Sequence, residues 1–325
     1  MQYYLFVHFK EKLTPDGEQV YFGLSKDGYN WESVNEGRPV LYSVLGERGV
    51  RDFTIVRAKN GKFYILATDL CLAYEMTRTY HESWCLIKRE GSHNLMLWES
   101  DDLCHFKPQR EITVGHENGG CCWAPDVIYD EENDDYILHW SSPRMHMDCK
   151  EYIDGMKMCI WYSRTKDFKT FTEAKILYEK EDSGIIDSCM IKENGRFYLF
   201  VKSEKHPCGV ILLQSDKITG PFSRMNQFDE EMAKLAGGAG NYEAPCIYKL
   251  DKGGYVLNLD FFGLPGKGQG YVPFVADTMA SGVFRRSDKD FSYPYGFKHG
   301  TILPISEEEY ERIKTFDYDN EQYRK

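Results

Sequence analysis

Four acidic residues in this sequence stand at or next to the start of an apolar run: Asp52, Asp126, Asp187 and Glu243. A carboxylate at the start of a strand is held rigidly. Acids that are brought together also shift one another's pKa values apart, which general acid and base catalysis requires. For any single Asp the alternative is a cap on a turn or strand start, which is a common structural role. Four such acids in one small space are harder to explain in that way, because clustered like charges cost stability.

The segments around these acids form a repeat, which we call the head. Each head has a polar or acidic residue near an apolar strand, followed by a turn and a second apolar strand. Asn-Gly pairs join the two strands at residues 60–61 and 194–195, and this pair is the strongest short-range signal for a β-hairpin. A fifth head is expected at residues 298–303, aligned so that His299 stands where Asp52 does.

A second repeat, which we call the tail, is a strand ending in Ser, then an acidic turn and an aromatic residue. Asp27, Asp102 and Asp167 each stand four residues before an aromatic residue. We expect each Asp to accept hydrogen bonds from backbone N–H groups of its turn, while the aromatic ring packs under the next structural unit.

Heads and tails alternate along the chain, and the chain starts on a tail. One repeat must therefore be split between the two ends of the chain. The five heads are spaced by about 55 to 75 residues, which suits four-stranded blades. The sequence predicts an all-β, five-bladed β-propeller closed by pairing of N- and C-terminal strands, which leaves no free edge. We expect one domain over residues 1–305, with residues 306–325 forming a short charged helix or a loose tail.

Composition excludes several classes of function. The net charge of −11 repels a phosphate backbone, so nucleic acid is not expected as a partner. No apolar stretch reaches the length of a membrane span, and the N-terminus lacks the basic and apolar regions of a signal peptide. The ten cysteines include no CxxC pair, which argues against zinc and favours buried thiols. We therefore expect a cytoplasmic protein, the alternative being a mature form without its signal peptide.

The heads, taken in order, resemble those of glycoside hydrolase family 43, five-bladed propellers that act on arabinose- and xylose-containing glycans. The resemblance spans roughly residues 51–305 and rests on five motifs: Arg-Asp at 51–52, Trp-Ala-Pro-Asp at 123–126, Ile-Asp-Ser at 186–188, Glu-Ala-Pro at 243–245 and Lys-His-Gly-Thr at 298–301. Each motif is short, and their order and spacing together carry the resemblance. The sequence departs from the family's commonest pattern at Phe53 and Ser188, where proline is frequent.

The resemblance implies roles for three of the acids. Asp52 would be the general base that activates water, and Glu243 the general acid that protonates the leaving oxygen. Asp187 would raise the pKa of the acid and hold it in position. The reaction would invert the anomeric configuration, with the two catalytic carboxyl groups roughly 6.5–9.5 Å apart. The substrate would be a small oligosaccharide that loses terminal α-L-arabinofuranosyl or β-D-xylosyl units.

Four further residues are candidates for substrate contact, each with an alternative role. Trp123 and Phe53 would offer an apolar face to a sugar ring or pack in the core. Asp126 would bind a sugar hydroxyl or brace its strand, since the Ala-Pro pairs align Trp123, not Asp126, with Glu243. His299 would touch the sugar, or hold a calcium ion of the kind that many family members carry near the axis. A single imidazole is not a typical calcium ligand, and no cofactor is expected to be required.

Three long connections are expected to surround the pocket. They are the insertions at residues 72–95 and 143–157 and the glycine-rich loop at 261–270. Loops on the catalytic face of a rigid scaffold commonly form the substrate pocket. A deep pocket would suit an enzyme that acts on chain ends.

Two other kinds of protein fit the same repeats. One is another propeller carbohydrate enzyme: a mannoside phosphorylase would need a basic phosphate cluster, and a fructan-cleaving hydrolase would carry an Asn-Asp-Pro head, which is absent. The other is a non-catalytic glycan-binding propeller, which would bind sugar without turnover and leave the acid cluster unexplained.

Overall fold

The computed structural model describes residues 2–10, 12, 14–145, 156–205, 209–235, 241–262 and 270–322. Two segments expected to border the pocket fall partly outside this range, namely residues 146–155 of the second insertion and 263–269 of the glycine-rich loop. Within the described residues, no helix combines the length and the apolar character that crossing a bilayer requires.

Twenty strands, numbered in chain order, form five antiparallel sheets of four strands each. Blade 1 consists, from the axis outward, of β20 (Phe297–Ile305), β1 (Tyr3–Lys10), β2 (Tyr21–Ser25) and β3 (Trp31–Ser33). Blade 2 consists of β4 (Val50–Arg57), β5 (Phe63–Asp69), β6 (Asn94–Ser100) and β7 (Arg110–Thr113). Blade 3 consists of β8 (Trp123–Asp130), β9 (Asp135–Met145), β10 (Met156–Thr165) and β11 (Lys175–Tyr178).

The last two blades follow the same order. Blade 4 consists of β12 (Ile185–Glu193), β13 (Arg196–Ser203), β14 (Gly209–Ser215) and β15 (Ser223–Arg224). Blade 5 consists of β16 (Tyr242–Lys249), β17 (Tyr255–Phe261), β18 (Gly270–Ala276) and β19 (Arg285–Arg286). The five inner strands contact one another in a closed ring.

Blade 1 closes the ring by joining both ends of the chain. β20 pairs antiparallel with β1, so that Ile305 lies opposite Tyr3 and Gly300 opposite His8. Gly300 is required there, because a Cβ atom would lie 1.8 Å from the carbonyl oxygen of Val7. The predicted five-bladed propeller with terminal closure is confirmed.

The described residues also contain five short helices outside the blades. α1 (Leu72–Arg78) and α2 (Trp84–Glu90) form the first insertion, between β5 and β6, and α3 (Asn226–Leu235) precedes β16. α4 (Glu307–Thr315) and α5 (Tyr318–Gln322) follow the closing strand, and single 3-10 turns occur at Asn35–Gly37, Met279–Ser281 and Asp288–Asp290. Ser306 starts α4 with a capping box. Tyr310 and Ile313 of this helix are buried in the core shared by blades 1 and 2.

The apolar core lies between the blades. Five hydrophobic clusters each join one pair of neighbouring blades, and a sixth lies under the mouth of the propeller. The abundant aromatic residues fill these interfaces, as large flat rings do between sheets. All eight cysteines of the described residues are free thiols, and seven of them are buried.

The tails fold as the sequence predicts, with one correction. Oδ1 of Asp27 accepts hydrogen bonds from two backbone N–H groups of its turn, and Asp102 and Asp167 do the same. The aromatic residue that follows, however, packs against the preceding blade, not the next one. Phe106 of blade 2, for example, meets Phe22 of blade 1. The right-handed twist of each sheet carries its outer edge toward that neighbour.

Candidate active site

Every inner strand contains a bulge near its start. In β4 the pairing register skips two residues between Arg51 and Thr54, and the other inner strands skip at 123–126, 186–189, 243–246 and 297–300. In four of these bulges the first of the two skipped residues is a non-glycine residue with φ between 48° and 54°, an uncommon conformation. Bulges of this kind redirect side chains next to active sites.

The register of the bulges decides which residues are equivalent. Trp123 and Glu243 both stand immediately before a bulge, as the alignment of their Ala-Pro pairs predicts. In β20 the two residues skipped in the register are Lys298 and His299, so Lys298 corresponds to Asp52. The expected equivalence of His299 and Asp52 is therefore wrong by one residue, because sequence patterns do not reveal which residue of a bulge is extra.

A cavity of about 120 Å³ opens at the mouth of the propeller. It is bordered by residues from all five inner strands, together with residues from β1, β17, α2 and the connection after β5. The lining residues are Phe9, Arg51, Asp52, Leu70, Trp84, Trp123, Ile186, Asp187, Glu243, Ala244, Asp260, Lys298 and His299. The structure thus brings Asp52, Asp187, Glu243, Trp123 and His299 together.

Asp52 is held as a carboxylate by two neighbours. Its Oδ1 lies 3.1 Å from Nδ1 of His299, and its Oδ2 accepts a hydrogen bond of 3.1 Å from the hydroxyl of Thr68. Burial favours the neutral acid, but the hydrogen bond with His299 and the charges of His299 and Arg51 outweigh it and lower the pKa of Asp52. Asp52 therefore stays ionised near neutral pH, as a general base must.

His299 is the counter-ion of this carboxylate. Burial disfavours its charged form, but the hydrogen bond with Asp52 and the negative charges of Asp52, Asp187 and Glu243 outweigh burial and raise the pKa of His299. With its Nδ1–H directed to Asp52, the imidazole fixes the position of the carboxylate. The two residues form one charge-assisted pair inside the cavity.

Glu243 has the opposite character. Burial and, next, the charge of Asp187 raise the pKa of Glu243 to about 7. Lys202, whose Nζ lies 3.8 Å from Oε2 of Glu243, acts in the other direction without cancelling these effects. About half of the Glu243 side chains carry a proton at pH 7, which suits a general acid.

Asp187 joins the strand of its own blade to the strand that carries Glu243. Its Oδ2 accepts a hydrogen bond of 3.2 Å from the backbone N–H of Ala244, the residue after Glu243. Its own N–H donates to Oγ of Ser141 at 2.9 Å. Burial raises the pKa of Asp187, and the charge of His299 counteracts this. Asp187 thus acts on Glu243 both through charge and through backbone position.

Two tryptophans form an apolar wall of the cavity. Trp123 is largely buried, whereas the ring of Trp84 is 48% exposed. The rings stand perpendicular, with centroids 6.2 Å apart. Sequence reasoning missed Trp84 because it lies on α2, inside an insertion that follows no repeat. The only signal for it was the prediction that this insertion borders the pocket.

Two predicted substrate contacts require correction. Phe53 is 1% exposed and packs in the core between blades 1 and 2, because the second residue of its bulge turns away from the axis. Asp126 does not border the cavity either. Its Oδ1 accepts from the hydroxyl of Thr54 at 3.1 Å and its Oδ2 from the N–H of Met190 at 2.9 Å. Asp126 therefore braces blade 3 against the blades on either side.

A different acid takes the fourth place in the cavity. Asp260 lies opposite Glu243 in the ladder between β16 and β17 and forms an ion pair with Lys298. Arg51 also borders the cavity, with its guanidinium 4.6 Å from the ring centre of Phe9. The sequence signal for Asp260 is a lone acid near the end of an apolar strand, which by itself is too common to identify a site.

One ring nitrogen of His299 is already engaged, which bears on the calcium ion considered for this residue. Among them, no group of three or more His, Cys, Asp or Glu side chains is arranged to hold a metal. Nδ1 of His299 is already occupied by Asp52. Calcium in proteins takes six to eight oxygen ligands, so water would have to supply most of them at a site held by His299, and the calcium ion stays a prediction.

Comparison with known proteins identifies the family. A family model described as a probable glycosyl hydrolase domain, related to glycoside hydrolase family 43, matches residues 1–311. An α-L-arabinofuranosidase of Bifidobacterium longum subsp. longum is 29% identical over 213 residues. That match covers 60% of this chain but only 19% of the relative, so the chain spans about a fifth of that protein's length.

Solved structures show the same fold. An endo-1,4-β-xylanase of Bacteroides thetaiotaomicron superposes with a TM-score of 0.57 at 15% identity, covering 88% of this chain and 90% of the other. A xylan β-1,4-xylosidase of Bacillus halodurans gives a TM-score of 0.57 at 14% identity, covering 89% of this chain and 53% of the other. With the family model matching nearly the whole sequence, the chain belongs to the family of glycosyl hydrolase domains related to glycoside hydrolase family 43.

Proposed function

We propose that the protein is an inverting glycosidase that removes terminal α-L-arabinofuranosyl or β-D-xylosyl units from small oligosaccharides. One observation carries the proposal: two carboxyl groups of one cavity have opposite pKa shifts. The pKa of Asp52 is lowered, while that of Glu243 is raised to about 7. Pairs of acids pushed apart in this way are typical of general base and general acid.

The reaction uses these two groups in one displacement. Ionised Asp52 takes a proton from a water molecule as the water oxygen attacks the anomeric carbon. Protonated Glu243 gives its proton to the glycosidic oxygen as the bond from that oxygen to the anomeric carbon breaks. Proton exchange with solvent then resets both groups. An inverting reaction places the two carboxyl groups roughly 6.5–9.5 Å apart so that the water fits between base and sugar.

The neighbouring residues support these roles. His299, whose pKa is raised by its hydrogen bond with Asp52, favours the ionised form of Asp52 until the carboxylate accepts the proton from water. The negative charge of Asp187 favours the protonated form of Glu243. Trp123 offers an apolar ring face to the sugar unit that is released. No step requires a metal.

The size of the cavity favours removal of single terminal units. At about 120 Å³, it is well below the ~300–1,000 Å³ of pockets that enclose drug-sized ligands. The choice between arabinose and xylose is left to experiment: the sequence relative is named an arabinofuranosidase, and one structural neighbour is named a xylosidase. A cytoplasmic location, which would limit substrates to short imported oligosaccharides, stays a prediction.

The test is hydrolysis of para-nitrophenyl α-L-arabinofuranoside and β-D-xyloside, with the product anomer followed by NMR. We expect Asp52→Asn and Glu243→Gln to lower kcat/KM by about 10²–10⁴-fold each. Glu308→Gln, whose side chain is 88% exposed, is the control and should match the unaltered protein. Absence of hydrolysis, or full activity in both site variants, would overturn the proposal; a product of retained configuration would overturn the inverting mechanism.

A phosphorylase is the main rival. The cavity does contain basic side chains, but each faces a carboxylate: Lys298 pairs with Asp260, His299 with Asp52, and Nε of Arg51 lies 3.8 Å from Glu18. This pairing argues against a phosphate cluster. Adding inorganic phosphate should therefore leave the rate of cleavage unchanged, and a rate that depends on phosphate would favour the rival.

A further inference from the structure

A second and larger cavity opens beside the catalytic one. Its volume is about 630 Å³, roughly five times that of the catalytic cavity. It lies between α2, the start of β10, the connection into β12 and the end of β13. Its lining includes Cys85 and Lys88 of α2, Met158, Gly184 and Glu204.

Only a thin wall of side chains separates the two cavities. Trp84 borders the catalytic cavity, while the next residue, Cys85, borders the second. Met158 of the second cavity packs in one hydrophobic cluster with Trp123 and Ile186 of the first. Trp84 is also 48% exposed, so part of this residue is accessible to a ligand at the rim of the catalytic cavity.

Most charges of the second cavity are paired. Nζ of Lys88 lies 3.1 Å from Oε1 of Glu204. At the rim, the hydrogen bond from Lys180, together with the charges of Lys180 and Lys205, lowers the pKa of Asp182. Paired charges of this kind offer strong hydrogen-bond donors and acceptors. They suit the hydroxyl groups of a neutral sugar chain.

Lys157 continues this pattern deeper in the cavity. It is 8% exposed, and its Nζ lies 2.5 Å from Oε1 of Glu179 and 3.1 Å from the carbonyl oxygen of Lys180. A buried ammonium group held by two such contacts is fixed in position, so this wall is preorganised.

We propose that the second cavity binds the sugar units on the leaving side of the scissile bond of an uncharged oligosaccharide, with Trp84 as the platform for the first of them. This proposal rests on the proposed function. The catalytic cavity accommodates one unit, so the rest of the chain must leave past its rim. Trp84 stands at that rim, and a cavity with room for more than one unit lies directly behind it.

The test is the dependence of kcat/KM on chain length. The substrates are the methyl glycoside and the uncharged oligosaccharides of two to four units of whichever sugar the protein releases from its aryl glycoside. We expect kcat/KM to rise at least tenfold from the methyl glycoside to the tetrasaccharide. The ratio of kcat/KM for the tetrasaccharide to kcat/KM for the methyl glycoside should fall to near one in Trp84→Ala. It should also fall to near one in Cys85→Phe, because the larger side chain fills the cavity. Trp84→Phe should keep most of this ratio, because it retains an aromatic ring.

A matched control comes from Tyr295, an aromatic residue that is 84% exposed and borders neither cavity. Tyr295→Ala should leave the ratio unchanged. Equal loss on the methyl glycoside and the tetrasaccharide in Trp84→Ala would overturn the proposal, as would the absence of any chain-length effect in the unaltered protein. Tighter binding of a tetrasaccharide that carries a uronic acid would refute the choice of an uncharged chain.

Calorimetry separates this proposal from the proposed function. If the protein hydrolyses no glycoside, the arabino- and xylo-tetrasaccharides can still be titrated into it. Binding that Cys85→Phe and Trp84→Ala weaken at least tenfold would support the second cavity while the glycosidase assignment fails. Absence of binding in a protein that does hydrolyse aryl glycosides would overturn the cavity proposal alone.

Discussion

Replacing Asp187 by Asn should shift the basic limb of the pH–rate profile to lower pH. Asn is close to Asp in shape, and its side-chain oxygen can still accept the hydrogen bond from the N–H of Ala244. What the substitution removes is the negative charge, which after burial is the largest influence raising the pKa of Glu243. Glu243 must be protonated to act, so a lower pKa leaves less of the active form at neutral pH.

The expected magnitude follows from the pKa of Glu243, which is about 7. Loss of one neighbouring charge shifts a buried carboxyl group by about one unit. At pH 7 the protonated fraction would then fall from about one half to about one tenth, which is a loss of about fivefold in rate. At pH 5 Glu243 would be about nine-tenths protonated or more in both proteins, so the lower pKa should cause almost no loss of rate there.

The assay is kcat/KM on an aryl glycoside from pH 4 to pH 9 for the unaltered protein, Asp187→Asn and Asp126→Asn. Asp126 is a buried acid of the neighbouring inner strand that borders no part of the catalytic cavity, so its variant should keep the basic limb near pH 7. The reasoning is refuted if Asp187→Asn lowers the rate by one constant factor across this range. It is equally refuted if Asp126→Asn shifts the basic limb of the pH–rate profile as far as Asp187→Asn does.

Three further outcomes are expected. Asp126→Ala should lower the free energy of unfolding by about 2–4 kcal/mol, because buried donors on Thr54 and Met190 lose their acceptor. Urea denaturation measures this change, and unchanged stability would show that Asp126 does not brace blade 3 against its neighbours. Phe53→Ala should lower the free energy of unfolding by about 3–5 kcal/mol, because it leaves a cavity in the core, and it should not raise KM. A higher KM at unchanged stability would show that Phe53 contacts the substrate. Dialysis against EDTA should leave both activity and Tm unchanged, and a loss that calcium restores would show that His299 or its neighbours hold the ion after all.

The repeat was enough to predict the fold because every blade uses the same local chemistry. Asp27 and its counterparts fix the turns through backbone hydrogen bonds that any sequence with Asp at that spacing can form. Asn194 and Gly195 both adopt positive φ, as a tight hairpin requires. These are contacts within a few residues, which a single sequence displays directly.

The site was only partly predictable because its geometry depends on bulges. A bulge adds one residue without a sequence signature, so one step of misalignment placed His299 in the position of Lys298. The same uncertainty led to the prediction that Phe53 contacts the substrate, although its ring packs in the core. Asp260 and Trp84 come from a second strand and an insertion, outside the repeat that led to the other residues.

The closing strand has a consequence for the order of events during folding. His299 lies on β20, and its partner Asp52 stands 247 residues earlier in the chain. Contacts so distant in sequence form late, because the intervening loop must be closed first. Polypeptide emerging from the ribosome would hold Asp52, Asp187 and Glu243 well before the imidazole that keeps the base ionised. Activity should thus appear in a single late step, when blade 1 acquires its inner strand β20.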